Sequence, residues 1–166
     1  AVLVLAICFT ALTACTTSTQ PPEAFLQLHG TTPFSTQHFT VCSFFDCEET
    51  TSVRLSNADW MQIDNIFSPR ANDSKEERKR IARAVAQFEK MVAVKAGTGD
   101  DQPRQQGGFR GTRQLDCVAE TTNTTSYLVL LQERGLMQWH TPRYPQHRGF
   151  MHGRLPHNTA VMEDLK

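Results

Sequence analysis

The residues best suited to chemistry are Cys117 and His157. The run Gln114-Leu115-Asp116-Cys117 opens a predicted helix that continues through VAETTNTTSYLVLLQER to Gly135, with Asp116 as its N-cap and Gly135 as its stop. Cys117 then lies in the first turn, where unpaired N–H groups and the positive end of the macrodipole favour a thiolate. The Asp116 carboxylate beside it opposes this. About forty residues later, the alternation over Leu155–Met162 predicts a strand with His157 at its start. A thiol and an imidazole so placed would supply a nucleophile and its general base for attack on a carbonyl. Gln114 could donate to the oxyanion beside the Cys117 backbone N–H, although a glutamine at a helix entrance is more often a solvated loop residue.

The remaining histidines form no comparable pattern. His140, His147 and His152 fall in a basic, aromatic segment, Trp139–Gly153, interrupted by Pro142 and Pro145. With Cys117 and His157 they could be gathered into a zinc site, but no pair has i, i+4 spacing or a tight cysteine pair beside it, so no metal and no cofactor is expected.

These residues need elements to position them. His38–Phe45 and Thr50–Leu55 have the composition of strands, and a hairpin around Cys47 would join them. Ser56, with Asp59 three residues on, opens a helix carrying Trp60, Ile63 and Phe67 on one face, and Pro69 stops it. Ser74 with Glu77 predicts a second capping box, followed by Ile81, Val85, Phe88 and Val92 at helical spacing. The other face of that helix, with Lys79, Arg80, Arg83 and Lys90 among Glu76 and Glu89, could bind anionic lipid or a cell-wall polymer, but a charge run on an amphipathic helix is usually its solvated face. Residues 96–114 hold five glycines and form a long loop. They lack the strand-to-helix context and the lysine of a phosphate-binding loop. The four threonines Thr121, Thr122, Thr124 and Thr125 give the Cys117 helix little intrinsic propensity, so burial on several sides must hold it.

The two ends describe an exported protein. Residues 1–14, AVLVLAICFTALTA, carry no charge, are too short to span a bilayer, and read as the apolar region of a signal peptide. Leu12-Thr13-Ala14-Cys15, followed by a polar Thr/Ser/Gln/Pro stretch, resembles a bacterial lipobox, with Cys15 the acylated residue and 15–37 a flexible tether. The sequence has no initiator Met and no basic segment before the apolar run, so its first few residues are expected to be missing. A single globular domain would occupy 38–166. In an oxidising envelope Cys42 and Cys47 are close enough to form a local disulfide, and Cys117 is left unpaired, either buried and inert or kept for its reactivity.

Composition agrees with one folded domain. The 166 residues contain 17 basic and 17 acidic side chains, with a pI near 7.2, which gives no electrostatic footprint for nucleic acid. The neutral total averages unlike parts. Residues 15–74 hold two basic and seven acidic side chains, and 75–95 hold seven basic and three acidic.

The stretches GTGDD, QLDCVAETTNTTSYLVLLQERGL and PHNTAVMED resemble a group of uncharacterised proteobacterial lipoproteins over residues 40–166. More distantly, the Asp-Cys helix and the His strand resemble bacterial transglutaminase-like cysteine proteinases, whose fold is papain-like. The likeness implies an α+β fold in which a buried Cys-bearing helix packs on an antiparallel sheet, after an N-terminal β-ribbon and two helices. It implies a cysteine peptidase or acyl transferase acting on a protein or on a peptidoglycan peptide, with Cys117 as nucleophile and His157 as base. The protein would be lipid-anchored to a membrane and would face the periplasm. The family's third member, an Asp or Asn orienting the histidine, usually lies on the next strand, and the sequence stops at Lys166, so a cut C-terminus is expected. Asp164, on the His157 strand itself, is a poor substitute. The alternative is a non-catalytic envelope lipoprotein serving as a structural or binding module.

Overall fold

A computed structural model describes residues 19–31, 35–99, 115–149 and 157–166. The chain is mixed α+β, its helices combined with two small antiparallel ribbons. In order, helix α1 spans Pro22–Leu28, strands β1 and β2 span His38–Ser43 and Glu49–Arg54, and helices α2 and α3 span Asn57–Ile66 and Ser74–Ala96. Helix α4 (Cys117–Glu133) and strands β3 (His140–Arg148) and β4 (His157–Asp164) follow. The strands pair only within each hairpin, β1 with β2 and β3 with β4. The expected N-terminal ribbon is the β1–β2 pair, the antiparallel sheet expected beneath the Cys helix has two described strands, β3 and β4, and both pairs pack on α4.

Helix α4 is the hub, in contact with α1, α3, β1, β3 and β4. Eleven of its seventeen residues are buried, including Thr121, Thr122, Asn123 and Thr125. The Thr122 and Thr125 hydroxyls donate to the carbonyls of Val118 and Thr121 at 2.8 and 2.7 Å, so their polar atoms are satisfied inside the helix while their methyl groups pack. At its far end the N–H groups of Gly135 and Leu136 bond the carbonyls of Gln132 and Leu131. Gly135 has φ +72°, the left-handed stop that glycine adopts most readily.

The core is built where α4 meets α2, α3 and the first ribbon. Phe88 stacks on Tyr127 at 4.9 Å and meets Trp60 edge-on at 5.6 Å, with Phe39, Val41, Ile63, Ile81 and Leu130 around them. The expected box at the start of α2 is present: Ser56 Oγ accepts from the Asp59 N–H, and the Asp59 carboxylate accepts from the Ser56 N–H. The box expected at Ser74 is not. Asp73 is the N-cap of α3, accepting from the Glu76 N–H, and Glu77 turns inward.

The span expected as a tether contains a packed element. Pro22 starts α1 at a position where its missing N–H costs nothing, and Phe25 and Leu26 bury against Val129 of α4 and Tyr144 of β3. In the second ribbon, Pro145 falls in the register break between Arg143 and Gln146, where a strand tolerates a residue with no donor. Among the described residues no helix is long and apolar enough to cross a membrane. The expected signal peptide at 1–14 and the lipidated Cys15 lie outside the described residues.

Candidate functional site

Asp116 caps α4, its Oδ1 accepting from the Ala119 N–H at 2.9 Å, and Cys117 is the first helical residue, half-buried and with a free thiol. The second oxygen of Asp116 accepts from the Asp46 N–H at 3.0 Å. Asp46 belongs to the turn Phe45–Cys47, closed by the Cys42–Cys47 disulfide with its Cα atoms 4.8 Å apart. Phe44, Asp46 and Cys47 all have positive φ, between 54° and 63°, a left-handed backbone that non-glycine residues keep only when their surroundings enforce it. A second anchor holds the same loop. The Asn123 side-chain oxygen accepts from the Cys42 N–H at 2.7 Å, and its amide donates to the Cys42 carbonyl at 3.0 Å. The head of the Cys117 helix is thus fixed at two points to a cross-linked turn.

His157 opens β4, exposed, with its backbone opposite Arg148 of β3. Among the described residues Cys117 and His157 share no hydrogen bond, and Gln114 lies outside those residues. Asp164 sits seven residues along β4, about 23 Å from the His157 end. It pairs with Arg78 at 3.0 Å, and its carboxyl is held below the usual range, first by the Lys166 N–H and then by Ser74 and Arg78. It is therefore committed to α3 and does not orient His157.

The other histidines separate. His147 Nδ1 lies 2.8 Å from the Asn158 side-chain oxygen across the ribbon, and His140 is buried. Among the described residues no three His, Cys, Asp or Glu side chains are grouped to hold a metal ion, and His152 lies outside them.

The polar cluster that sequence reasoning missed surrounds His140. Glu77 is 1% exposed and accepts from the backbone N–H groups of Gln138, Trp139 and His140 at 2.8, 2.9 and 3.0 Å. Its carboxylate also lies 3.0 Å from His140 Nδ1, while His140 Nε2 is 3.4 Å from Arg78, which bonds Asp164. With four donors around one carboxylate, this is a satisfied buried clamp that joins the first turn of α3 to the α4–β3 link. A glutamate three residues after a serine looks like a capping partner in sequence, which masked this role.

A groove of about 330 Å³ lies elsewhere, between α2 and α3, lined by Gln62, Ile66, Arg83, Ala86, Gln87 and Lys90. In comparisons with family models, curated proteins and solved structures, no match is found for this chain.

Proposed function

We propose that the protein is a lipid-anchored envelope protein with cysteine-dependent peptidase or acyl-transferase activity on a transglutaminase-like, papain-like scaffold. One observation supports this most. Helix α4 and the β3–β4 ribbon leave a common junction, residues 134–139, and run back in the same direction. Tyr144 packs in the cluster that holds Val129. From that level Cys117 lies about 18 Å along the helix, and Arg148, the backbone partner of His157, lies about 13 Å along the strand. By these lengths the thiol and the imidazole would fall toward the same end of the molecule, which supports the reading, and the thiol belongs to the turn in which helix N–H groups are unpaired.

In this reading His157 takes the Cys117 proton as Sγ attacks the carbonyl carbon of a peptide or isopeptide bond. The Cys117 backbone N–H would donate to the oxyanion, with Gln114 the second donor expected from its place in the sequence. Collapse breaks the C–N bond, the amine leaves with the proton from His157, and a thioester remains on Cys117. Water releases an acid, or a second amine accepts the acyl group and returns the enzyme. Envelope location rests on the signal-like residues 1–14 and the lipobox-like Cys15, and the Cys42–Cys47 disulfide fits an oxidising compartment.

A second reading, a non-catalytic structural or binding module, has its own support. The Asp116 carboxylate, next to Cys117 in the chain, is spent on the cap and on Asp46, and Cys117 and His157 are not hydrogen-bonded among the described residues. Alkylation of the native protein with iodoacetamide at neutral pH separates the two. The enzyme reading expects fast modification of Cys117 that slows by at least about tenfold in His157→Ala, the lower range of a general base's contribution being larger still. Protection of Cys117 until denaturant is added, or rates indifferent to His157, would leave the module reading standing.

A further inference from the structure

The basic face of α3 carries charges that no acidic side chain among the described residues pairs with. All five acidic residues of α2 and α3 are engaged. Asp59 pairs with Lys95, Asp64 with Arg134 and Glu76 with Arg80. Glu77 is the buried clamp, and Glu89 faces the buried Tyr127, where after burial itself its charge helps push the hydroxyl's pKa up. Arg78 is taken by Asp164. Lys75, Lys79, Arg83 and Lys90 remain exposed, and none has an ion-pair partner among the described residues. At helical spacing the four fall within an arc of about 80° and a length of about 22 Å. Lys75, Lys79 and Arg83 are successive i, i+4 neighbours, an arrangement of like charges that destabilises a helix. Folding therefore gives no reason for it.

We propose that this face binds the anionic surface of a phospholipid bilayer. Its shape favours a flat layer of headgroups. The strip is straight, Ala86 lies within its arc between Arg83 and Lys90, and the apolar Val94, 84% exposed, follows Lys90 by one turn at its edge. Cations at headgroup depth with apolar side chains beside them are the chemistry of a peripheral membrane contact. The inference stands on the face alone and does not require Cys15 to be lipidated. Where a lipid is attached, the face adds the second signal that stable anchoring needs.

The test is co-sedimentation of the chain carrying Cys15→Ser with vesicles of phosphatidylglycerol and phosphatidylcholine against vesicles of phosphatidylcholine alone. The apolar residues 1–14 contribute equally to both arms. Preferential binding to the anionic vesicles is expected, falling as salt is raised. Because each cation counts for about fivefold, Lys79→Gln with Arg83→Gln should weaken it about 30-fold while circular dichroism stays unchanged. Equal binding to both vesicles, or an anionic preference untouched by the double variant, would overturn the proposal. So would a soluble polyglutamate that binds this face more tightly than the vesicles do, which would point to an acidic protein.

Discussion

Asp116 divides its carboxylate between two elements, one oxygen capping α4 and the other holding Asp46. Asp116→Ala is expected to cost about 1–2 kcal/mol, read as a lower urea midpoint. Asp116→Ser should restore the cap but not the bond to Asp46, so the two contributions separate. The cap itself was legible, because an aspartate before a periodic run has few other uses. Asp59 makes a pH-dependent contribution. Its carboxyl is held below the ordinary value, first by the Ser56 N–H, against some desolvation, with the Ser56 hydroxyl and Lys95 adding to the effect. Since the folded value lies below the unfolded one, the stabilisation is complete above the ordinary carboxylate range and fades as pH falls through the folded value. Asp59→Asn should flatten the acid limb of stability against pH. Parallel acid limbs for the two proteins would contradict this.

The Cys42–Cys47 turn acts at the scale of elements. Opening the cross-link with Cys42→Ser and Cys47→Ser should cost about 2 kcal/mol by chain entropy, and the left-handed residues of the turn are then released to relax. Asn123→Ala removes both partners of the buried Cys42 peptide group and should cost about 3 kcal/mol, measured by chemical denaturation. Because both changes act on one loop, their effects should fall short of additive. The hairpin and the helices α2, α3 and α4 could be read from the sequence, since caps, stops and apolar spacing are local. Helix α1 could not. A seven-residue helix in a run rich in proline and threonine carries too short a pattern, and its existence depends on Val129 and Tyr144, far away in sequence. The long basic segment after Trp139 was equally ambiguous, because Pro145 fits a strand only once the register break between Arg143 and Gln146 is known.

For the whole molecule, one helix gathers both ribbons and helices α1 and α3 around it, and Phe88 is the α3 side chain that stacks on its Tyr127. Phe88→Ala removes contacts with both Tyr127 and Trp60 and should cost about 3–5 kcal/mol, seen as a loss of thermal midpoint. The α+β class and the separate N-terminal ribbon were legible from the order of elements, but the pairing of β3 with β4 was not, because strand partners are chosen by tertiary packing that no local pattern records. The same limit applied to Glu77, whose partners lie more than sixty residues away. That carboxylate has a consequence for motion. The amide protons of Gln138, Trp139 and His140 lie in and beside a short link where rapid solvent exchange would ordinarily be expected. Tied to a buried group on α3, they can exchange only when α3 separates from the link, so their deuterium uptake should keep pace with that of the molecule's slowest core amides. A turn would then report the global opening of the domain.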